Sequence, residues 1–514
     1  MNVLGFPILS ITLWLPALGA LALMFVPAEQ AETQRRTALG FVIAALAAAL
    51  AAAAMYLGGA ASPQGMAEPA LPWIPAWGSS YHLGIDGVSI WLVVLTTLLA
   101  PFAIGATWGQ PEGRQRGMLA LLLTFESAML GTFMAQDMLL FYVFWEVALI
   151  PVVFLIGIWG GADGPRAALK MFLYTFSGSV LMLLGIIGVY MLHAQQGATT
   201  FDIGTIVADV RSGAFVIDPA IERLLFGAFF AAFAIKLALW PFHTWVPAAY
   251  SAAPTPVAIM LAAVMSKFGT YGLIRFNLAL FPQASQWAAP AVAILAVIGI
   301  IYAATTAYAQ TDMQRLVAYS SVSHMNAIAL GIFALNAIGI SGAVVQMLAH
   351  GVNTAALLLI VAVLYERRGT REITAFSGLW KTMPVFGGLT LLVILASMGL
   401  PGLNAFIGEF TIMQGTFSSP TLGWPFAGGA VIGVILVASY MLRMFRIGFM
   451  GDARDDEGLR DLSRREGVSL ALLAIAMVAA GLFPSLLFAP LQGAVDGLVQ
   501  HLAPATAALV EVLR

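Results

Sequence analysis

Two lysines stand inside long apolar stretches of this sequence, where a charged side chain is unusual. Lys236 lies within FAAFAIKLALWPFHTWVPAAY, and Lys267 lies within VMSKFGTYGLIRF. An ammonium at the centre of a membrane helix costs about 2.5–3.5 kcal/mol on insertion scales, so an unused one should be rare. Unlike arginine, a desolvated lysine can release its proton near neutral pH. The two residues therefore predict proton transfer. The structural alternatives are a side chain that snorkels to the membrane surface or a buried ion pair.

Further titratable residues fall at a similar depth in other apolar stretches. With a rise of about 1.5 Å per residue, Lys236 is roughly 20 Å along its helix from Arg223, too far to reach the surface with ease. Several titratable groups at one depth predict an ion pathway, although His350 alone is equally compatible with a hydrogen-bonded packing role. The additional members of this row are Glu146, His324, His350 and Glu409.

Three other residues are candidates for an accessory role. Asp137 lies in the AQD turn between two apolar stretches, where a helix cap is the simpler interpretation. Glu126, in TFESAML, is compatible with a minor gate or with a hydrogen bond to a serine. His243 follows the proline that ends the Lys236 stretch. Arg275, in LIRFN, is interpreted as an anchor at the end of its helix.

Composition defines the setting in which these residues act. The chain has 514 residues, of which 61% are hydrophobic and 9% are charged, and its mean hydropathy is +0.92. A chain of this composition has too few polar residues to cover the surface of a water-soluble globule of this size. The composition therefore predicts an all-α membrane protein. The net charge of −2 gives no indication of nucleic-acid binding. Because the chain has no cysteine, it can hold no disulfide and no cysteine-ligated iron–sulfur cluster. No glycine-rich dinucleotide loop is found either.

The apolar stretches predict about fourteen membrane-spanning helices, each long enough to cross about 30 Å of hydrocarbon. We number them as spans 1–14. Their approximate bounds are 4–26, 37–58, 84–107, 117–136, 138–158, 167–192, 224–241, 256–281, 288–309, 316–335, 338–365, 383–415, 425–447 and 468–489.

The basic residues predict the orientation of these spans. Seventeen lysines and arginines fall in loops on one side, whereas only Arg211 and Arg223 fall in loops on the other. The positive-inside rule then places the basic side in the cytoplasm and both termini outside. Span 1 has no preceding basic residue and no small-residue cleavage site, so we expect it to be retained.

Two spans contain helix-breaking sequences. Span 7 stops at LWPFH and is followed by HTWVPAAYSAAPTP, and span 12 is interrupted at SMGLPGLNAFIGEF. Broken helices in corresponding positions are typical of transporters with inverted repeats. Spans 4–8 and 9–13 form such a pair in our prediction. It divides the chain into N-terminal spans (1–116), a first repeat (117–282), an inverted second repeat (283–447) and a C-terminal part (448–514).

Six motifs resemble one known family. They are FYVFWEVALIPVVFLIG, AIKLALWPFHTWVPAAYSAAPTPVA, VMSKFGTYGLIRF, RLVAYSSVSHM, AHGVNTAALLL and GLPGLNAFIGEF. All are similar to the antiporter-like membrane subunits of proton-pumping NADH:quinone oxidoreductase, respiratory complex I. The likeness covers about residues 80–450. Glu409 favours the M type of subunit (subunit 4), because the L and N types and sodium/proton antiporter subunits tend to carry lysine there.

The resemblance implies roles for the row. Glu146 matches the family's glutamate on span 5, and Lys236 matches the lysine that partners it on span 7. Lys267 matches the family's central lysine on span 8. Glu409 matches the terminal acid, and the relay histidines correspond to His324 and His350. The resemblance also implies that NADH, FMN, iron–sulfur clusters and quinone are bound by partner subunits, with no cofactor in this chain. Other complex I membrane subunits, the L and N types as neighbours, are the implied partners in a bacterial inner membrane. One departure is Gln314, where the family's pattern has a lysine, which places only a cytoplasmic surface contact in doubt.

The residues support a switching mechanism as a hypothesis. Ionised Glu146 near Lys236 would hold the lysine charged, and separation of the two would send its proton through Lys267 and the histidines to Glu409. Two unit charges 4 Å apart interact by about 4 kcal/mol at an effective dielectric constant of 20, which is enough to drive such a step. Two other classes of function remain open. A cation/proton antiporter subunit would use the same lysines, and a structural scaffold would tolerate their loss.

Overall fold

Helices form nearly all of the regular structure in this chain. The computed structural model describes residues 2–60, 65–109, 114–452 and 459–513. In the first half the helices are α1 (Ile8–Leu23), α2 (Ala31–Met55), α3 (Ser89–Ala106), α4 (Gln115–Met134), α5 (Met138–Trp159), α6 (Gly164–Gln196), α7 (Ile203–Ser212), α8 (Pro219–Leu237) and α9 (Trp245–Ala252). They continue with α10 (Thr255–Met260), α11 (Lys267–Gly272), α12 (Leu278–Leu280), α13 (Pro282–Tyr308), α14 (Met313–Ile332), α15 (Ala337–Arg368), α16 (Leu379–Thr382), α17 (Pro384–Ser397), α18 (Asn404–Phe417), α19 (Trp424–Phe449), α20 (Arg464–Leu482), α21 (Ser485–Phe488) and α22 (Gln492–Leu513).

The observed helices agree with the predicted all-α membrane architecture. Within the described ranges, ten helical stretches are long and apolar enough to cross a membrane, and they match spans 2–6, 8, 9, 11, 13 and 14. The other predicted spans coincide with α1, α8, α14 and the pair α17 and α18, which are shorter or more polar. The count of fourteen membrane crossings therefore stays a prediction.

Polar caps fix where several helices begin. Asp137, Asp202 and Asp218 each accept backbone N–H bonds at the start of α5, α7 and α8. At the start of α20, Ser463 and Glu466 form a reciprocal capping box. Because the first amides of a helix lack partners within it, these side chains stop one helix and start the next even where the connection is short.

The centre of the bundle is a buried helix that is irregular along its length. The stretch from α10 to α12 is completely buried over its most apolar window, whereas only 28% of the corresponding window of α20 is buried. Two π turns, Leu261–Met265 and Leu273–Asn277, flank α11. These turns were not predicted from the sequence. Such π turns inside α-helices are frequent at functional sites.

The two predicted helix breaks are confirmed. Helix α8 ends at Leu237 because Ala238 adopts a left-handed conformation with φ of 64°, and the chain resumes as α9. In span 12, the break lies between α17 and α18, where Gly399 and Gly402 have φ of 77° and 92°. Glycine is favoured at such angles because it has no Cβ.

Short strands and two helices, none of them predicted, cover one end of the bundle. Strand β1 (Asn2–Val3) runs parallel to β2 (Met66–Ala67), which is antiparallel to β5 (Gly84–Ile85). Strand β3 (Leu71–Ile74) pairs with β4 (Ser79–Tyr81) in antiparallel register. Helix α7 joins this end through the bridge between Asp137 and Asp202, and α22 packs against α13 and α15.

Two details of the sequence analysis need correction. Span 3 was predicted to begin at residue 84, but β5 occupies that position and α3 begins only at Ser89, where Asp86 accepts the amides of Val88 and Ser89. Gln314 was expected at the cytoplasmic surface, where it replaces a lysine of the family's pattern. It is buried, and its Nε2 donates to the carbonyls of Tyr250 and Ala253 at 2.7 and 3.2 Å. Gln314 therefore ties α14 to the end of α9.

Candidate functional site

Four of the six row residues form a nearly continuous polar chain. Lys267 Nζ lies 2.6 Å from His350 Nδ1. The ring centroids of His350 and His324 are 5.7 Å apart, and His324 Nδ1 lies 3.0 Å from Glu409 Oε1. All four side chains are buried. Because they come from α11, α15, α14 and α18, only the packing of these four helices brings them together.

The irregular helix around α11 positions Lys267. The π turn at Leu261–Met265 shifts the backbone bonding by one residue, so Ser266 N bonds to the Leu261 carbonyl five positions back. Lys267 Nζ then reaches the Ala262 carbonyl and Ser266 Oγ, each at 3.3 Å. With the lysine as donor, His350 Nδ1 is the acceptor, and His350 Nε2 can donate to Thr354 at 3.3 Å. The lysine is thus surrounded by acceptors that suit its charged form.

Glu409 has two close polar neighbours at the other end of this chain. Its Oε1 accepts from Gln346 Nε2 at 3.0 Å and lies 3.0 Å from His324 Nδ1. Gly399 at the break leaves room for the carboxylate, since a Cβ there would lie 2.7 Å from Glu409 Oε2. The break in span 12 therefore creates the space in which this acid sits.

Two small cavities accompany the polar chain. One of about 10 Å³ is lined by both histidines together with Gln346, Asn353 and other residues. The second, of about 20 Å³, is lined by His324, Glu409 and residues of α18 and α19. Each is of the size that holds about one water, for which roughly 10–15 Å³ is needed. A water between the two histidine rings would complete a proton path across the 5.7 Å gap.

Lys236 and Glu146 lie in the same region but are not ion-paired. Lys236 is 1% exposed, and its Nζ has no hydrogen-bond partner among the described residues, as is true of Glu146 Oε1. The carboxylate still acts on the lysine electrostatically. The Lys236 ammonium instead lies over the rings of Trp145 and Phe268, 5.0 and 5.8 Å from their centroids. The structure therefore shows the pair apart.

Two asparagines that the sequence analysis missed hold the broken helices next to the relay histidines. Asn326 Nδ2 donates to the Ala238 carbonyl at 3.1 Å, and Asn326 Oδ1 accepts from Trp240 N at 3.3 Å. Asn353 Oδ1 accepts from Asn404 Nδ2 at 2.9 Å at the start of α18. Each asparagine is two or three residues after a relay histidine. The signal in the sequence that could have identified them was an asparagine inside an otherwise apolar span.

The accessory candidates fall into two groups. Asp137 is a structural residue, since it caps α5 through Leu139 and Leu140 and accepts from Ser80 N at 2.9 Å. Burial raises the pKa of Asp137 against the effect of these donors. Glu126 is 1% exposed with no partner for its Oε1 in the described part of the chain; the neighbouring Ser127 donates to the Leu13 carbonyl instead.

His243 and Arg275 lie away from the polar chain. His243 is buried at the break after α8, and its ring centroid is 5.2 Å from that of Tyr302. Arg275 bonds to Asp86 at 2.6 Å and to Gln136 at 2.7 Å. These contacts are consistent with the predicted anchoring role of Arg275.

The part of the chain that the structure describes contains no metal-binding group. Among the described residues, no group of three or more histidine or acidic side chains is arranged to hold a metal ion. The site therefore consists of titratable side chains, amides and small cavities, which suits the movement of protons.

Comparison with known proteins agrees with this geometry. Residues 135–436 match the family described as NADH:quinone oxidoreductase/Mrp antiporter, TM. The chain is 39% identical to NADH-quinone oxidoreductase subunit M of Rhodobacter capsulatus, over 96% of each protein. It superimposes on a chain of respiratory complex I from Thermus thermophilus with a TM-score of 0.86 and 29% identity, covering 96% of this chain and 99% of that one. A chain of the Mrp complex from Dietzia sp. DQ12-45-1b shares the fold, with a TM-score of 0.81 and 19% identity over 97% and 100% of the two chains. The chain belongs to the NADH:quinone oxidoreductase/Mrp antiporter family of membrane subunits.

Proposed function

We propose that this chain is a proton-translocating membrane subunit of NADH:quinone oxidoreductase, of the M type. The observation that carries the proposal is the buried path from Lys267 through His350 and His324 to Glu409, with contacts of 2.6 and 3.0 Å at its two ends. The relatives named as subunit M support the assignment, as does Glu409 at the position where the sequence analysis expected lysine in an antiporter.

In this proposal Lys236 loads the path. When Glu146 approaches, its negative charge holds a proton on the lysine, and when the two separate that support is lost. The proton moves through water to Lys267 and then along the histidines, and return of Glu146 reloads Lys236 from the cytoplasm. We assign the structure to the separated state, and the assignment is supported by the absence of a hydrogen bond from Lys236 Nζ to any described residue. Glu126 and His243 are assigned accessory roles at the margins of this path, and Asp137 a structural one.

The energy for this cycle must come from partner subunits in the same complex. This chain has no cysteine to ligate an iron–sulfur cluster. We assign NADH, FMN, iron–sulfur clusters and quinone to other subunits, and we place the chain between neighbours of the L and N types. The two sets of five spans, with breaks after α8 and after α17, serve as the two repeats of the pump.

The experiment compares Lys236→Ala and Glu146→Ala with Lys381→Ala in membranes that carry the assembled complex. Lys381 is a suitable control because its side chain is 61% exposed and pairs with the exposed Asp452. The proposal expects NADH-driven proton pumping and NADH:quinone turnover to fall together in the first two variants while assembly is retained. Normal pumping and turnover in both would refute it.

An antiporter subunit is the second candidate, because the Mrp chain has the same fold. It is distinguished by sodium-dependent proton exchange in vesicles without NADH. If Lys236→Ala abolishes that exchange but leaves NADH-driven pumping unchanged, the antiporter assignment replaces ours.

We further propose that the chain lies in a bacterial inner membrane with both termini on the periplasmic side. The absence of cysteine makes this directly measurable, since every thiol in the chain is then an introduced one. Ser212→Cys on α7 and Thr374→Cys on the arginine-rich face are both exposed positions. A membrane-impermeant maleimide added from the periplasmic side should label the first and not the second; the reverse pattern would invert the topology.

A further inference from the structure

The Lys236 ammonium lies over two aromatic rings, which offer it a partner other than Glu146. Its ammonium nitrogen is 5.0 Å from the centroid of the Trp145 ring and 5.8 Å from that of Phe268. The two ring centroids are 5.6 Å apart, and their planes are tilted by 33°. Both rings are fully buried. We call Trp145 and Phe268 the aromatic cage.

Each residue of the aromatic cage is adjacent in sequence to a member of the proposed proton path. Trp145 directly precedes Glu146 on α5, and Phe268 directly follows Lys267 on α11. Successive residues of a helix point about 100° apart. A movement of α5 that withdraws Glu146 from Lys236 therefore also changes the position of Trp145, and the other wall of the cage is fixed beside the next proton carrier.

A buried ammonium without a hydrogen bond is strongly unfavourable unless another group compensates its charge. The face of an aromatic ring carries negative potential and attracts a cation most strongly where water is excluded, with tryptophan the most effective. In the described part of the chain, Lys236 Nζ has no hydrogen-bond partner, so the rings offer this compensation together with the more distant charge of Glu146.

We propose that Trp145 and Phe268 are positioning residues that receive the Lys236 ammonium when Glu146 withdraws. The lysine side chain then has two positions, one against the Glu146 carboxylate and one in the aromatic cage. The cage replaces only part of the support that is lost when the ion pair opens, and it holds the ammonium beside Phe268, the residue next to Lys267, so that the proton is released forward rather than back to the side from which it came. This inference rests on the proposed role of Lys236 in proton transfer.

The charged and titratable groups around Lys236 are consistent with this assignment. On α5 the relevant group is Glu146, which acts on the lysine electrostatically. On α11 the neighbouring charge is Lys267, whose Nζ is bonded to His350. On α14 it is His324, whose Nδ1 lies 3.0 Å from Glu409 Oε1. Both have partners of their own, and neither supplies the negative charge that would compensate the Lys236 ammonium.

The test is to change the electrostatics of one cage ring without changing its shape. Phe268 is replaced in the full complex by mono-, di- and trifluorinated phenylalanine through suppression of an introduced stop codon. Fluorine withdraws charge from the ring face but alters its size little, so packing and assembly are preserved. The same series at Phe276 is the control, because that ring is also fully buried but packs against Phe141, Phe229 and Phe233 rather than over a lysine.

The expected result is a stepwise fall in NADH-driven proton flux with each added fluorine at position 268, reaching about three- to tenfold for the trifluorinated ring. The Phe276 series should show no trend. In a second set, Trp145→Phe should retain more flux than Trp145→Leu at equal assembly, because phenylalanine keeps a ring face.

A flat response at position 268, or an equal trend at position 276, would overturn the aromatic cage. That failure is separable from failure of the proposed function. If fluorination has no effect while Lys236→Ala still abolishes pumping, the cage is wrong and the proton path stands. If Lys236→Ala pumps normally, the proposed function fails, and the cage fails with it.

Discussion

The Nζ atom of Lys267 and the Nδ1 atom of His350 are 2.6 Å apart in the buried centre of the bundle. The two residues are 83 positions apart in the chain and come from α11 and α15. Neither side chain is more than 3% exposed. A direct bond between a lysine and a histidine allows one proton to be shared between groups of different basicity, which is what a relay requires.

The first prediction concerns this bond. His350→Ala leaves Lys267 with the Ala262 carbonyl and Ser266 as partners, both at 3.3 Å. Loss of a hydrogen bond to a charged group is worth about 1.5–3 kcal/mol, or roughly ten- to a hundredfold in proton transfer. Vesicle pumping driven by NADH should fall by that factor.

His193→Gln is the matched control for the His350 variant. That histidine is equally buried, but it pairs with Asp209 at 2.8 Å outside the polar chain. The complex that carries His193→Gln should pump protons normally. Equal loss in both variants would mean that the effect is structural and not specific to the relay.

The second prediction concerns the acid at the end of the path. Glu409→Gln preserves the shape of the side chain and its contact with Gln346, but it removes the group that binds a proton. Pumping should therefore be lost while the amount of assembled complex is unchanged. Gln346→Leu should have a smaller effect, because His324 still contacts Glu409. The opposite order of severity in proton flux would show that Gln346, and not the carboxylate, dominates this end.

The third prediction concerns the close approach of α8 and α11. A Cβ on Gly269 would lie 2.4 Å from the Phe233 carbonyl oxygen and 2.7 Å from Leu237 N. Because these are backbone atoms, Gly269→Ala must push the two helices apart, at a cost of about 1–3 kcal/mol or more. Thermal stability of the purified complex should fall, and Lys236 should be displaced from Phe268.

Gly227→Ala on α8 is the control for this substitution. Nothing lies within 4 Å of the position of its Cβ. That variant should be as stable as the original protein or slightly more stable, because alanine favours helix. Equal destabilisation by both substitutions would contradict the steric explanation.

The fourth prediction concerns the break after α8. Asn326→Leu removes the partners of the Ala238 carbonyl and of Trp240 N. Each buried backbone group left without a partner costs about 1–3 kcal/mol. We expect the complex to disassemble at a lower temperature and to pump less. Met325→Leu, a volume-conserving change at the adjacent buried position, should cost less than about 1.5 kcal/mol. Similar melting of the two variants would show that Asn326 does not support the break.

The fifth prediction concerns the effect of pH on the Asp86–Arg275 pair. Burial raises the pKa of Asp86, but the Arg275 guanidinium and the amides of Ser89 and Val88 lower it by more, so the pKa lies below its usual value. A group whose pKa is depressed by folding stabilises the protein above its unfolded pKa, which is about 3.9 for aspartate, and this contribution is lost as pH falls through the folded value. Stability should therefore decrease on acidification below about pH 4.

Asp86→Asn tests this pH dependence. The substitution removes the charge opposite Arg275 at all pH values, so the complex should melt at a lower temperature at pH 7. The cost is about 3 kcal/mol or more if the pair behaves as a buried one. The part of the acid sensitivity that Asp86 contributes should disappear. An unchanged acid limb in melting temperature would assign that sensitivity to other groups.

The sequence alone determined the type of protein and the identity of most candidate residues. Apolar stretches long enough to cross a bilayer are visible without a structure because each helix satisfies its own backbone bonds. Proline and glycine act on their own segment of chain, so the breaks in spans 7 and 12 were also predictable. Lysine, histidine and glutamate at mid-depth are conspicuous because they are costly there.

Only the tertiary structure decided which of these residues meet. Lys267, His350, His324 and Glu409 lie on four helices, and their contacts depend on how those helices pack and on a π turn that shifts Lys267. The short strands, α7 and α22 were missed because segments of this kind depend on contacts with the rest of the bundle more than on local pattern. Glu146 and Lys236 were predicted to alternate between a close and a separated arrangement, and the structure decided that the lysine lies over Trp145 and Phe268 with no hydrogen bond from its Nζ among the described residues. A sequence fixes the charge and reach of a side chain, but the partner that it selects depends on distances that only the packed helices set.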